Sequence, residues 1–176
     1  MDHVLKRHFD IFIGQGLPPA LAGLDVSLFS DKALLDIWRN NRKGLAWVDS
    51  EGNVLHGAVD AVLCKGTKLI VLDYKTRGFP LKEDTADYYK DQLDIYTYLL
   101  QKNGYETEDY AYLLFYYPTQ VTHSGTIVFQ TELKKMPVNA FNAEKIVIKA
   151  VSVLQKEIPQ MNGCKYCEWG KEWGRY

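Results

Sequence analysis

An α/β fold built on a mixed sheet is predicted by three features of this 176-residue chain. Helical and strand-like hydrophobic patterns follow one another in the order helix, helix, three strands, helix, two strands, helix, the pattern of layered α/β packing. Two strand-like runs lie close enough in sequence to pair as a hairpin, which argues against a purely parallel sheet. Hydrophobic residues make up 47% of the chain and charged residues 24%, a balance that fills a core and does not fit a disordered chain.

The first helix is predicted over Asp2 to Ile13, where Val4, Leu5, Phe9, Phe12 and Ile13 recur at helical spacing. Gly14-Gln15-Gly16 ends it, and Pro18-Pro19 marks a loop. Ser30 is the expected cap of a second helix, Asp31 to about Asn41, with Leu34, Leu35 and Trp38 facing inward. Leu45 to Asp49 reads as a short strand, and residues 49–53 as its turn. Two longer apolar runs, 54–64 and 68–75, then flank the turn Lys65-Gly66-Thr67 and read as paired strands. Arg77-Gly78-Phe79-Pro80 breaks the second of them.

The longest helix is expected from about Thr85 to Lys102, stopped by Asn103-Gly104, with Tyr88, Tyr89, Gln92, Tyr96 and Leu99 on one broad face. Tyr110 to Tyr117 and Ser124 to Leu133 alternate like two strands joined through Pro118-Thr119-Gln120. The aromatics of the first could offer base-stacking surfaces, although residues at this spacing more often fill a sheet face. A final helix runs from Phe141 to about Glu157, ended before Pro159. The length fits a single domain, 1–176, with 159–176 as a C-terminal tail.

Chemistry concentrates in the hairpin. Asp60 lies inside one apolar run and Asp73-Tyr74-Lys75 ends the other. A carboxylate among aliphatic side chains is costly unless something compensates its charge, and one divalent cation would compensate both acids. Mg²⁺ is held by one or two carboxylates and retains water. Side chains alternate along a strand, so Asp73 and Lys75 share a face and Tyr74 takes the other. Carboxylates, a cation and a neighbouring positive charge are the parts needed to hydrolyse a phosphodiester. Gln92 and Tyr96 are one helical turn apart and meet one patch.

In order, G-x-x-D (Gly57 to Asp60), D-x-K (Asp73 to Lys75) and Q-x-x-x-Y (Gln92 to Tyr96) resemble the motifs of the PD-(D/E)XK nuclease superfamily, closest to its RecB-like branch, which includes CRISPR-associated exonucleases. The resemblance covers about Val54 to Tyr117. It implies a central mixed sheet flanked by helices and metal-dependent hydrolysis of DNA, exonuclease-type, on single strands or duplex ends. Asp60, Asp73, Lys75, Gln92 and Tyr96 become the catalytic residues. Asp60, Asp73 and the Tyr74 backbone carbonyl become ligands of Mg²⁺ or Mn²⁺. The family's first motif, an upstream His or acid on a helix, is matched by Asp2 as a further metal ligand, with His3 and His8 as rivals. A catalytically silent nucleic-acid-binding or assembly module on the same fold is the alternative.

RecB-like relatives also carry a four-cysteine iron–sulfur cluster, with one ligand upstream of the first motif and three in the C-terminal tail. Here the tail offers Cys164 and Cys167, Trp173 stands where the last cysteine is expected, and the N-terminal cysteine segment is missing. Two thiols of one chain do not make a four-thiolate cluster, so an iron–sulfur cluster is not expected. The pair reads first as a remnant packed by Trp169, with zinc or a cluster shared between the two chains of a homodimer as the alternative.

A net charge of −1 gives no general basic coat for nucleic acid. Arg39, Arg42 and Lys43 could bind phosphate, and a solvated helix end explains them equally well. The chain has no run of about 18 apolar residues, and its first residues do not resemble a signal peptide. With an odd number of cysteines, 3, a disulfide framework is not expected, and the cytoplasm fits best.

Overall fold

The computed structural model describes residues 1–156 and 164–172. They fall into two compact units, Met1–Lys145 and Ile146–Tyr176. In the first, α1 (Asp2–Asp10) is followed by a 3-10 turn (Pro19–Leu21), strand β1 (Ser27–Leu28), α2 (Lys32–Trp38), and strands β2 (Leu45–Val48), β3 (Val54–Gly57), β4 (Ala61–Lys65) and β5 (Lys68–Thr76). A second 3-10 turn (Asp87–Tyr89) leads into α3 (Lys90–Lys102), then β6 (Tyr110–Val121), β7 (Ile127–Pro137) and the start of α4 (Ala140–Leu154). The second unit holds the rest of α4 and α5 (Lys165–Glu172). Among the described residues no helix is long and apolar enough to cross a membrane.

The larger sheet has the order β1-β4-β5-β6-β7, and β2 with β3 forms a separate two-stranded sheet. β5 and β6 are parallel, joined through α3, while the other pairs of the larger sheet are antiparallel. The sheet is thus mixed and flanked by helices, as expected. Its central strands are apolar on both sides, as strands buried on two faces must be. Ile70, Leu72 and Tyr74 share one core with Leu5 and Phe9 of α1, together with Tyr112, Leu114 and Tyr116. Leu69 and Val71 share the other with Leu93, Leu99 and Leu100 of α3, together with Leu113 and Phe115. The aromatics of 112–117 are therefore core: Tyr112, Phe115, Tyr116 and Tyr117 are all buried and offer no stacking surface to a base. Tyr110 is half-buried, with the Lys135 ammonium 3.6 Å from its ring centroid.

Several expected boundaries move. The run 54–64 is not one strand. β3 ends at Gly57, Val59 is fixed by its N–H donating to the Trp38 carbonyl (3.2 Å), and β4 starts at Ala61 in the other sheet. The hydrophobic pattern does not register this change of partner. Strand β1, two residues long, exists through its pairing with β4 and leaves too little pattern to be read. The N-cap of α2 is Asp31, whose Oδ1 accepts from Leu34 N (2.9 Å), rather than Ser30. The first helix stops at Asp10, short of Ile13. Tyr88, expected on the α3 face, sits in the preceding 3-10 turn and is exposed. β6 continues past Pro118 through an irregularity between Pro118 and Gln120, a place where a missing N–H is tolerated. The β6–β7 turn is therefore at residues 122–126. The helix expected from Phe141 begins at Ala140 and ends at Leu154, short of Glu157. Glu157, Pro159 and Trp173 lie outside the described residues.

Two glycines have a defined task. Gly66, with φ +58°, opens the two-residue β4–β5 turn, a conformation L-residues resist. Gly57 lies against α3: a Cβ there would come 2.8 Å from Leu99 Cδ1 and 3.0 Å from Tyr96 Cε1. Leu99 is fully buried and has no room to retreat. Gly57→Ala is therefore expected to destabilise the protein by about 1–3 kcal/mol, the usual cost of overpacking. Urea denaturation measures it, and an unchanged midpoint would show that α3 is not seated against this strand.

Candidate active site

The site forms where β5 runs out from beneath α3. Asp73 is 2% exposed and belongs to the face of β5 turned toward that helix. Lys75, two residues on, shares the face, and its Nζ lies 2.6 Å from Asp73 Oδ2. Gln92, in the first turn of α3, completes a closed ring. Its Oε1 accepts from Lys75 Nζ (2.9 Å), while its Nε2 donates to Asp73 Oδ1 (3.3 Å) and to the Tyr96 hydroxyl (2.9 Å). Only an amide can accept from an ammonium on one side and donate to a carboxylate and a phenol on the other. The ammonium also lies over the Tyr89 ring, 4.5 Å from its centroid.

Asp60 stands just before β4, one residue short of the Ala61–Leu72 pair. Its Oδ2 accepts from the Tyr74 N–H (3.0 Å), so its carboxyl takes over where the strand pairing stops. Its Oδ1 pairs with Lys6 Nζ of α1 at 3.0 Å, and the same ammonium is 3.1 Å from Asp2. Asp2 is thus joined to Asp60 through Lys6. The rival histidines are both exposed, and the His8 ring packs edge-on against Phe9 and Phe12. The Tyr74 side chain points to the opposite face, against Phe9 (4.6 Å between centroids).

Two residues matter here that their sequence context hides. Lys6 supplies the countercharge to Asp60, and an isolated helical lysine carries no signal of that. Arg39 is no solvated helix end. Its Nε donates to the Asp60 carbonyl (2.6 Å) and its Nη1 pairs with Asp10 (2.6 Å), with the guanidinium largely buried. It clamps α1 and α2 to the segment that presents Asp60. Arg42 and Lys43 are exposed.

The electrostatics single out Asp73. Burial pushes its pKa up from the ordinary 3.8 to about 6; Lys75 opposes that shift and Asp60 adds to it. Asp73 Oδ2 is shut off from water, and its close partner among the described residues is the Lys75 ammonium. A buried carboxylate oxygen in that condition, beside a second carboxylate, fits a hard cation. Among the described residues no group of three or more His, Cys, Asp and Glu converges on one point. Two acids, completed by water and substrate oxygens, are a set that Mg²⁺ accepts.

In the second unit Cys164 directly precedes α5 and Cys167 lies in its first turn. Hydrogen bonds from Cys167, backbone first and then thiol, lower the Cys164 pKa.

The raised pKa of Asp73 fixes a pH dependence. The folded protein holds a proton that the unfolded chain releases between about pH 4 and 6, so stability from this group is lost as pH rises through that window. The loss is roughly 3 kcal/mol at full ionisation. In EDTA, wild-type stability should fall relative to Asp73→Asn from pH 4 to 7, measured by denaturant titration. Parallel curves would show that the carboxylate is not strained.

The PD-(D/E)XK nuclease superfamily matches the chain over residues 23–171. No curated protein matches it significantly. The matched span takes in all five strands of the larger sheet, Asp60, Asp73, Lys75 and α3, and leaves out α1 with Asp2 and Lys6. With a mixed sheet flanked by helices and a match over most of its length, this chain belongs to the PD-(D/E)XK nuclease superfamily.

Proposed function

We propose that this protein is a metal-dependent deoxyribonuclease, RecB-like and exonuclease-type, acting on single-stranded DNA or duplex ends in the cytoplasm. The observation that carries the reading is the ring in which Lys75, Gln92 and Tyr96 surround the buried Asp73 carboxylate, whose Oδ2 is shut off from water beside the Lys75 ammonium. Asp60, Asp73 and the Tyr74 carbonyl would hold Mg²⁺ or Mn²⁺, with Asp2 as a further ligand once Lys6 releases it. When bound, the cation neutralises phosphate charge and makes water a better nucleophile at neutral pH.

The chain's own residues do the rest. Lys75 carries three N–H donors. Asp73 and Gln92 fix two directions around its Nζ, which leaves the third for a phosphate oxygen or the attacking water. Gln92 holds the ammonium in place from the rigid first turn of α3, and Tyr96 holds Gln92. The charge developing on the phosphate then meets a preorganised donor, the arrangement that contributes most to such reactions. A homodimer would bring the tail cysteines of two chains together.

Roles separate by substitution. Lys75→Ala is expected to lower cleavage at least about 100-fold, the scale of losing one preorganised donor, and to keep metal binding, because an ammonium is no cation ligand. Asp73→Ala is expected to lose both. Saturating Mn²⁺ at about 100 times its Kd should stabilise the wild type by about 2.7 kcal/mol through mass action, and Asp73→Ala much less. The assay is cleavage of labelled single- and double-stranded DNA with Mg²⁺, Mn²⁺ or EDTA, beside melting temperatures with and without Mn²⁺. Full cleavage by Lys75→Ala would sink the mechanism, and binding without cleavage by the wild type would favour a silent module.

A further inference from the structure

Just past Thr76, the end of the strand that carries Asp73 and Lys75, stands a further cation, Arg77. The Arg77 N–H donates to the Tyr116 carbonyl (2.9 Å), which extends the β5–β6 ladder by one residue beyond Thr76. Alternation then puts Arg77 on the face of Asp73 and Lys75, roughly 7 Å beyond the lysine. Unlike Lys6, Lys32, Arg39, Lys75 and Lys90, it has no carboxylate within ion-pair distance among the described residues. Its Nε is buried and has no hydrogen-bond partner. Its guanidinium lies over the ring of Phe79, 4.7 Å from the centroid, and that ring is 55% exposed.

A half-buried guanidinium with no anion and an unsatisfied N–H is an incomplete pair. The planar fork accepts a phosphate through two parallel N–H bonds. Turning the guanidinium toward an arriving phosphate uncovers the buried edge and frees the face of Phe79. An aromatic face at that point can stack on a base, and only an unpaired or terminal base has a face to offer. The offset between Lys75 and Arg77 is comparable to that between successive phosphates of an extended strand.

We propose that Arg77 and Phe79 form a strand-gripping subsite next to the reacting phosphate: Arg77 takes the neighbouring phosphate and Phe79 stacks on its base, so that the protein selects unpaired strand over duplex interior. This rests on the nuclease reading above and names the part of the substrate that the site holds.

The test is fluorescence anisotropy of a labelled oligo-dT and of a closed duplex hairpin, in EDTA, across a salt series. Wild type, Arg77→Gln, Arg77→Lys and Phe79→Ala are compared, with melting temperatures as a check on folding. Arg77→Gln should weaken oligo-dT binding about tenfold and reduce the salt slope by about one. Arg77→Lys should keep the slope. Phe79→Ala should weaken oligo-dT at least about fivefold and leave the duplex unchanged. Because Phe79 is exposed, that variant reports on the subsite even if Arg77→Gln unfolds. If the wild type cleaves DNA and Phe79→Ala binds oligo-dT as tightly as wild type, or loses both ligands equally, the subsite is wrong and the nuclease reading stands. If the wild type neither binds nor cleaves any DNA, both fall.

Discussion

A carboxylate buried on the face of a sheet governs the arrangement around it. Asp73 sits where apolar residues of β5 give way to the site, and its charge has to be met by groups that are themselves held still. Lys75 meets it along the strand and Gln92 meets it from α3. That requirement fixes how α3 lies on the sheet, because an amide one turn into the helix must reach both an ammonium and a carboxylate. It also accounts for Gly57, whose missing side chain lets Tyr96 and Leu99 come close. Even so the compensation is incomplete, and the carboxyl stays strained toward its protonated form.

The second acid is handled differently. Asp60 stands at the break between two sheets, where the chain leaves β3 and enters β4, and backbone partners are scarce. Its carboxyl accepts the Tyr74 N–H and its carbonyl accepts from Arg39. Arg39 is anchored in turn by Asp10, which Lys32 also approaches at 3.3 Å. Burial alone would lower the Lys6 ammonium, but Asp60 and Asp2 raise it overall. Both N-terminal helices are thus tied electrostatically to the segment that presents Asp60. Lysines thus face both acids, Lys6 at Asp60 and Lys75 at Asp73.

Arg77 extends the same logic along the strand. Lys75 is held by neighbours and Arg77 is not, so the fixed cation faces the buried acid and the unpaired one faces outward beside an exposed ring. Superfamily membership supports a nuclease-like function and leaves open which nucleic acid fits. Under the subsite proposed above, the side chains that decide it lie along β5 and the loop after it.

Local sequence was enough for whatever depends on period alone. Asp73 and Lys75 share a face because strand side chains alternate, and Gln92 lies one turn from Tyr96 because helices repeat near four; both relations survive any arrangement of the chain. The same periodicity gave α1 to α4, the β4–β5 hairpin and the mixed sheet, and the three spaced motifs pointed to the superfamily; α5 lies in what read as a tail. What periodicity could not carry was partnership across distance. The run 54–64 reads as one strand, yet its halves pair in different sheets, since hydrophobic pattern records burial and not the neighbour. Ser30 and Asp31 are equally good caps in sequence, and only the turn geometry chose Asp31. Lys6 and Arg39 look like solvated helix residues until α1 and α2 are folded against Asp60. Tertiary structure alone decided these, because an ion pair depends on where two side chains meet in space, and that depends on the packing of elements far apart in the chain.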